Sequence, residues 1–364
     1  MCLLSENLDF DLVSPSSNCS LPAMLNFRFP LLLVLLVTLS SLSVSGQEEP
    51  LNEPDLTSRP APEKGPTEVT VRMIILNLEQ IHGADQTFTA DVAFEANWQD
   101  DRLRHSGSEK TTMDLSDIWN PDFQIVNRQK IQFMFPEDAD ISPDGNVRII
   151  QRVWGQFSQP LQLRDFPFDV QTLHTTIVSV GYDEGMLKLK EDSANASAVA
   201  DSFSIPDWKV LGWDSEVTER PIMSGGPKLP TFEVSITMKR ESRYYFINVI
   251  LPLFLIICMS WIVFWLPSSQ LGPRVSVSVT AMLTLTAYRF AIGTSLPKVA
   301  YLTRLDWLIL GSSLLVFLSL VEVIVTTWMA ENGRAPLARR INHSMRAVAP
   351  ILFLLIAYAS LYSG

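Results

Sequence analysis

The chain has 364 residues, 47% of them hydrophobic and only 18% charged, enough for one large domain or two ordinary ones. Its formal net charge of −11 sits mostly in the polar middle, where basic residues are sparse. That argues against a nucleic-acid surface, which needs a lysine and arginine footprint to release counterions.

In MLNFRFPLLLVLLVTLSSLSVSG, one positive charge (Arg28) precedes an apolar core from Pro30 to Val37 and a tail of small residues. The pattern predicts a leader and secretory signal peptide over 1–46, cut near Ser45 or Gly46, with Met24 as an alternative start and a signal anchor as the rival reading. Cys2 and Cys19 fall before that cut and Cys258 lies in an apolar run, so the mature chain is expected to keep one cysteine and no internal disulfide. Residues 47–66, rich in proline and charge, read as a flexible lead-in.

Strand-like pieces follow. EVTVRMIILNLEQI, TFTADVAFEANWQD, NVRIIQRVWGQFSQ, QTLHTTIVSVGY, KVLGWDSEVTE and TFEVSITMKRESRYY alternate or run β-branched and aromatic, with turn signals such as SPDG, GYDEG and MSGGPKLP between them. Many short strands without a long helical-period segment predict an all-β, Ig-like sandwich of about ten strands over 67–242. A parallel α/β domain is disfavoured because crossover helices are missing.

After Arg243 the texture changes. Stretches at about 244–266, 275–293, 305–329 and 343–363 carry almost no charge, and a run of about 20 such residues crosses the hydrocarbon core. A four-helix transmembrane domain is therefore expected over 243–364. The links after the first and third stretches carry Arg274 and then Arg334, Arg339, Arg340 and Arg346, whereas the link after the second has Lys298 and Arg304 against Asp306. The arginine-rich side is expected to be cytoplasmic, which places the sandwich outside, together with both ends of the mature chain. Glu322, within the third stretch, is costly there unless it faces protein, water or the interface.

A four-crossing protein could be an enzyme anchor, a transporter or a channel. In VSVSVTAMLTLTAYRFAIGT, Ser276, Thr280, Leu283, Ala287, Phe290 and Thr294 follow steps of four, three, four, three and four, so all six share one helical face. In a symmetric ring that face would line a hole, hydroxyls on its inner half and apolar rings above that can gate by dewetting. The other reading is that the hydroxyls hold helices together inside one subunit. A single chain offers one such helix, so a pore also demands a homo-oligomer.

The motifs WNPD (Trp119 to Asp122), LRDFPFDVQ (Leu163 to Gln171), RYYFINVILPLFLI (Arg243 to Ile256) and LPK (Leu296 to Lys298) resemble, in order and spacing, the pentameric ligand-gated ion channels. The likeness runs from about residue 67 to the end and is nearest to the bacterial members. It implies a homopentamer in a bacterial inner membrane, with the mature termini on the periplasmic side and monovalent ions as the permeant species. Membrane lipids and a small-molecule agonist or protons are the implied partners; no cofactor and no metal are implied. In such channels the Phe-Pro-Phe-Asp loop sits at the base of the outer domain. By that resemblance Phe166 and Phe168 wedge between the two domains, Pro167 fixes the turn, and Asp169 is buried against Arg240, as a buried carboxylate requires. The loop is expected to rest on the linker SLPKVAYLT, with Pro297 at its centre and Lys298 beside it. Asp85 is expected to supply a further carboxylate to the buried arginine.

Three departures qualify the likeness. Animal members staple this loop with two cysteines, where this chain has Gln159 and Leu173, so packing around Phe166 is expected to replace the staple. The pore helix opens with LGPR, without the glutamate usual in cation-conducting members. A proline beside the arginine resembles the anion-conducting branch, but the family turns an arginine at that position partly away from the lumen in both branches, so its sign decides little. The acidic outer domain and the likeness to bacterial members make cation conduction the expectation and anion conduction the alternative. The agonist site implied by the family lies under the hairpin from Glu219 to Phe232, among Phe123, Tyr182, Phe203, Trp208, Trp213 and Phe232. The hairpin has no aromatic before Phe232, so an amine cage there is incomplete. Tyr182 has sandwich-edge packing as its alternative role. For protons the candidate sensor is His174, just past the Phe-Pro loop. An enzyme is disfavoured: the outer domain shows no nucleophile signature or phosphate-cradling loop, and its histidines are dispersed. A membrane-anchored β-sandwich binding protein is the further alternative, which accounts for the sandwich and the signal but not for a hydroxyl-striped second crossing.

Overall fold

The computed structural model describes residues 55–221, 223, 225–267, 269–293 and 298–362. The expected signal peptide, the first part of the lead-in, Thr294 and Pro297 lie outside the described residues. Within the lead-in, residues 55–66 are held to the sandwich. Arg102 donates to the Asp55 and Ser58 carbonyls (both 2.8 Å), and Arg59 donates to the Gly65 and Met186 carbonyls (2.6 and 3.0 Å).

Twelve strands are described: β1 (Thr67–His82), β2 (Thr87–Gln99), β3 (Thr111–Asp114), β4 (Phe123–Ile125), β5 (Arg128–Phe133), β6 (Asp138–Ile141), β7 (Asn146–Ser158), β8 (Val170–Ser179), β9 (Leu187–Glu191), β10 (Ala198–Val199), β11 (Trp208–Pro221) and β12 (Lys228–Arg240). One sheet runs β10-β1-β2-β7-β6-β3, with β5 added to β7 and β9 to β1; the other runs β11-β12-β8-β4. Alternation builds the core. Val69, Val71, Met73 and Ile75 of β1 point inward, and across the sandwich so do Phe232, Val234, Ile236 and Met238 of β12. Phe88 and Phe157, paired across β2 and β7, stack at 5.3 Å and are both buried. Full burial of one such ring contributes about 1.5–3 kcal/mol.

Among the described residues, four helices are long and apolar enough to cross a membrane: α1 (Arg243–Trp265), α2 (Leu271–Ile292), α3 (Arg304–Glu331) and α4 (Ala335–Tyr362). Pro252 of α1 lacks an N–H and its ring crowds the preceding turn; a π turn at Phe246–Ile250 takes up the mismatch. Tyr288 of α2 donates its hydroxyl to the Val249 carbonyl in that turn (2.6 Å). α2 begins at Leu271 rather than near 275, because Pro273 falls in the first turn, where a missing N–H costs nothing. α4 begins at Ala335, well before the expected 343, since the arginine-rich segment continues the helix beyond the apolar run. α3 opens with a capping box between Thr303 and Asp306. Gly311 lets α4 come close to α3; a Cβ there would stand 2.6 Å from Ile356 Cγ2.

Candidate functional site

α2 has two unlike faces. Arg274, Ser278, Ala281 and Leu285, again four, three and four apart, are buried against the rest of the subunit. On the opposite side Ser276, Thr280, Leu283, Ala287 and Phe290 are all exposed, Leu283 at 65% and Phe290 at 79%. Thr280 donates its hydroxyl to the Ser276 carbonyl (2.7 Å), so it needs no partner helix. The intrasubunit glue reading fails for this stripe, because none of it touches a neighbouring helix closely enough to be covered. The sixth member, Thr294, lies outside the described residues.

At the other end of α2 the sandwich meets the helices through the segment 159–171. Asp169, fully buried, receives Arg240 Nε on one oxygen (2.8 Å) and Arg240 Nη2 on the other (3.2 Å), while Gln171 Nε2 donates to the second oxygen (2.8 Å). The backbone repeats the link, Arg240 N donating to the Asp169 carbonyl (3.1 Å). Three rings surround the guanidinium: Trp208 at 4.3 Å, Phe166 at 5.0 Å and Tyr245 at 5.9 Å from Cζ. A cation so desolvated gains from aromatic faces as well as from its fork-shaped pairing. Phe166 meets Tyr245 edge to face at 4.8 Å and Phe168 meets Phe246 at 5.8 Å, both partners at the start of α1. Pro167 is buried between the two phenylalanines.

The same segment also caps α3. The first amides of that helix, Arg304 and Leu305, donate to the Arg164 and Phe166 carbonyls (3.0 and 3.3 Å), which satisfies orphan donors of the helix start. Arg304 then pairs with Asp165 (2.8 Å) and donates to the Leu361 carbonyl at the end of α4 (2.9 Å). Tyr301 receives the Leu163 amide on its hydroxyl (3.0 Å) and lies under Arg164. Among the described residues, then, the loop rests on Tyr301 and the start of α3 rather than on Lys298, which is exposed; Pro297 cannot be placed.

Two expectations need correction here. Asp85 is exposed at the β1–β2 turn and does not reach the arginine; the second carboxylate near Arg240 is Asp207, 3.8 Å from Nη1. The turn instead contributes Gln86, which accepts the Leu161 amide on its side chain (2.6 Å) and the Gln159 amide on its carbonyl (2.8 Å). Nor does packing alone stand in for the missing staple. Gln159 donates Nε2 to the Thr172 carbonyl (2.5 Å) and accepts the His174 amide on Oε1 (2.8 Å), gripping the backbone on both sides of Leu173.

The aromatic set proposed from the hairpin does not form one cluster. Phe232 is buried between the sheets and Trp208 lies beneath Arg240, so neither side chain is open to a ligand in this subunit. Phe203 packs half-buried on the core, while Trp213 is exposed on β11. Tyr182 leans on Trp119 at 5.5 Å, and Phe123 meets Phe94 edge to face at 5.0 Å. Phe123 also lines a cavity of about 390 Å³ with Phe94, Arg128, Phe133 and Gln151. His174 projects from β8 to Glu233 of β12 (Nδ1 to Oε1, 3.0 Å). Glu233 also accepts from Thr176 (3.0 Å) and Arg220 (3.2 Å), and Arg220 reaches on to Glu216 (3.3 Å). The histidine contact leads the interactions that hold the Glu233 carboxyl below the usual range. The contacts of Asp207, Gln86, Gln159 and Arg304 are not legible in the sequence, because most of what these residues bind is backbone or lies far along the chain. The only local signal was the Thr-x-x-Asp box beside Arg304.

Comparison with known proteins agrees with this architecture. Residues 50–242 match the neurotransmitter-gated ion-channel ligand binding domain and residues 249–354 match the neurotransmitter-gated ion-channel transmembrane region. A proton-gated ion channel of Gloeobacter violaceus is 26% identical over 322 residues, covering 85% of this chain and 88% of that protein. With both halves of the chain matched in order, the protein belongs to the neurotransmitter-gated, pentameric ligand-gated ion-channel family and is a multi-pass membrane channel rather than an enzyme.

Proposed function

We propose that five copies of this chain form a ring around an aqueous path lined by the α2 stripe from Ser276 to Phe290, with the Leu283 and Phe290 rings as its narrow apolar gates. The observation that carries this reading is the unlike burial of α2: one face packed within the subunit, the other exposed with hydroxyls toward its start. A hydroxyl that donates within its own helix, as Thr280 does, can still accept from water, which suits such a face to a wet column. The ring sits in a bacterial inner membrane with the sandwich and both mature termini on the periplasmic side, a placement supported by the arginines between α3 and α4. Opening is driven from the sandwich through Asp169, Arg240, Phe166 and Phe168 onto α1 and α3. The acidic chain, with net charge −11, concentrates cations at the mouth, and cations are the permeant species. Protons are the stimulus, a reading supported by the proton-gated relative and by the contact between His174 and Glu233 on the β11-β12-β8-β4 sheet.

Two measurements test it. In planar bilayers with asymmetric salt, a step from neutral to acidic pH should open a current that reverses near the cation equilibrium potential; no current at any pH would remove the proton reading. In a Cys258→Ser background, Leu283→Cys should be blocked by a water-soluble thiol reagent during opening. A Leu283→Cys channel that conducts and resists the reagent would sink the pore assignment.

A further inference from the structure

At the end of the bundle remote from the sandwich, Arg274 opens α2 two residues before the first hydroxyl of the exposed stripe, yet its side chain is fully buried. Its guanidinium turns into the seam with α3 and α4. Nη2 donates to Glu322 Oε2 (3.3 Å) and Asn342 Oδ1 (3.0 Å), and Nη1 to Thr326 Oγ1 (3.0 Å) and Thr327 Oγ1 (3.4 Å). Asn342 donates in turn to the Phe264 carbonyl at the end of α1 (2.9 Å), so the node ties all four helices. Glu322 is the only carboxylate among the partners, and its side chain is 8% exposed.

We infer that Glu322, a residue of α3 with no place on the stripe, is a specificity-determining residue for ion selection: it cancels the Arg274 charge and holds the guanidinium out of the conduction path. The inference rests on the ring with α2 as its lining. In that ring five unanswered guanidiniums would sit beside the inner mouth, where low-dielectric walls focus their field and favour anions. Thr326, Thr327 and Asn342 can position the guanidinium but cannot remove its charge. No substitute carboxylate stands nearby in sequence, since Pro267 to Pro273 contains no acidic residue. Nor is the pair backed up: Arg274 Nε and Glu322 Oε1 are buried without a partner among the described residues, so loss of either residue leaves the other's charge unanswered.

The test compares reversal potentials in asymmetric potassium chloride for the wild type, Glu322→Gln, Arg274→Gln and the double variant. Glu322→Gln should lower the cation-to-anion permeability ratio several-fold. Arg274→Gln should raise it, and the neutral double variant should return it to the wild-type value. Reversal potentials that stay put in both single variants, or move in the same direction, overturn the inference. A wild type that reverses at the chloride potential defeats the cation reading above, but the opposed shifts of the two single variants still decide the role of Glu322. Should both single variants reach the membrane as folded rings and pass no current, the double variant decides. Wild-type selectivity restored supports the inference, and a folded but silent double variant overturns it.

Discussion

Two buried arginine–carboxylate pairs stand at opposite ends of the helices, and they are built differently. Arg240 and Asp169 face each other with two parallel hydrogen bonds, a third donor from Gln171, and rings around the guanidinium. Arg274 and Glu322 share one contact of 3.3 Å, and each keeps a buried polar atom without a partner among the described residues. The first pair joins the last strand before the membrane to the loop that caps α3; it has one geometry and no slack. The second is shared among a carboxylate, an amide and two hydroxyls, an arrangement that fixes a charge in place without demanding one exact pose. Burying an ion pair repays its desolvation only when geometry and extra hydrogen bonds are good, so the upper pair is the one whose rupture should cost most.

The largest expected effect follows at Asp169. Asp169→Asn keeps the shape but leaves a buried guanidinium with only the distant, half-exposed Asp207 as a counter-charge. The loss should be about 3–5 kcal/mol, read as a lower unfolding temperature of the purified channel together with lost proton-evoked current. Arg240→Gln combined with Asp169→Asn should recover part of the stability. A single variant as stable as the wild type would mean that the aromatic rings, not the carboxylate, hold Arg240.

How far the sequence shows this comparison in advance depends on what carries each part. The strands and the four crossings are legible because their signals are periodic and local: Val69 to Ile75 alternate, and the apolar runs are long. The α2 stripe is legible for the same reason. Asp169 and Arg240 lie 71 residues apart with no period to connect them, so only the resemblance of LRDFPFDVQ brings them together. The start of α4 is hidden because Arg339 and Arg340 read as a link although they lie within a helix. The aromatics at 203, 208, 213 and 232 share a residue class but not an environment; burial depends on which sheet face each strand presents, and a one-residue bulge between Val210 and Gly212 shifts that choice.

A middle-sized effect is expected where a disulfide would sit in animal relatives. Gln159 grips the carbonyl before Leu173 and the amide after it, so Gln159→Ala removes two hydrogen bonds from a part-buried site. That should cost about 1–3 kcal/mol, less than breaking the Asp169 pair. It should also speed hydrogen exchange in segment 159–174 ahead of the rest of the sandwich. Unchanged exchange there would return the staple's role to packing around Phe166.

The smallest effect belongs to His174, which sits away from both buried pairs. Glu233 is held below the ordinary carboxylate range, chiefly by the histidine contact. A carboxyl depressed in the folded state contributes stability that is present above its unfolded value and lost as pH falls through its folded one. On acidification the Glu233 carboxylate therefore stays charged to lower pH than an ordinary carboxyl. That carboxylate meets His174 Nδ1 at 3.0 Å and also accepts from Thr176 and from Arg220, which competes for it. His174→Gln keeps a hydrogen-bonding group but cannot charge. Its proton-activation curve should move to lower pH by a fraction of a unit, with little change in unfolding temperature, because the site is partly exposed and solvent screens such pairs. An activation curve that superimposes on the wild type would leave proton sensing to other carboxylates of the sandwich, whereas a large fall in stability would show that the contact holds β8 to β12 as firmly as the buried pair holds the base of the domain.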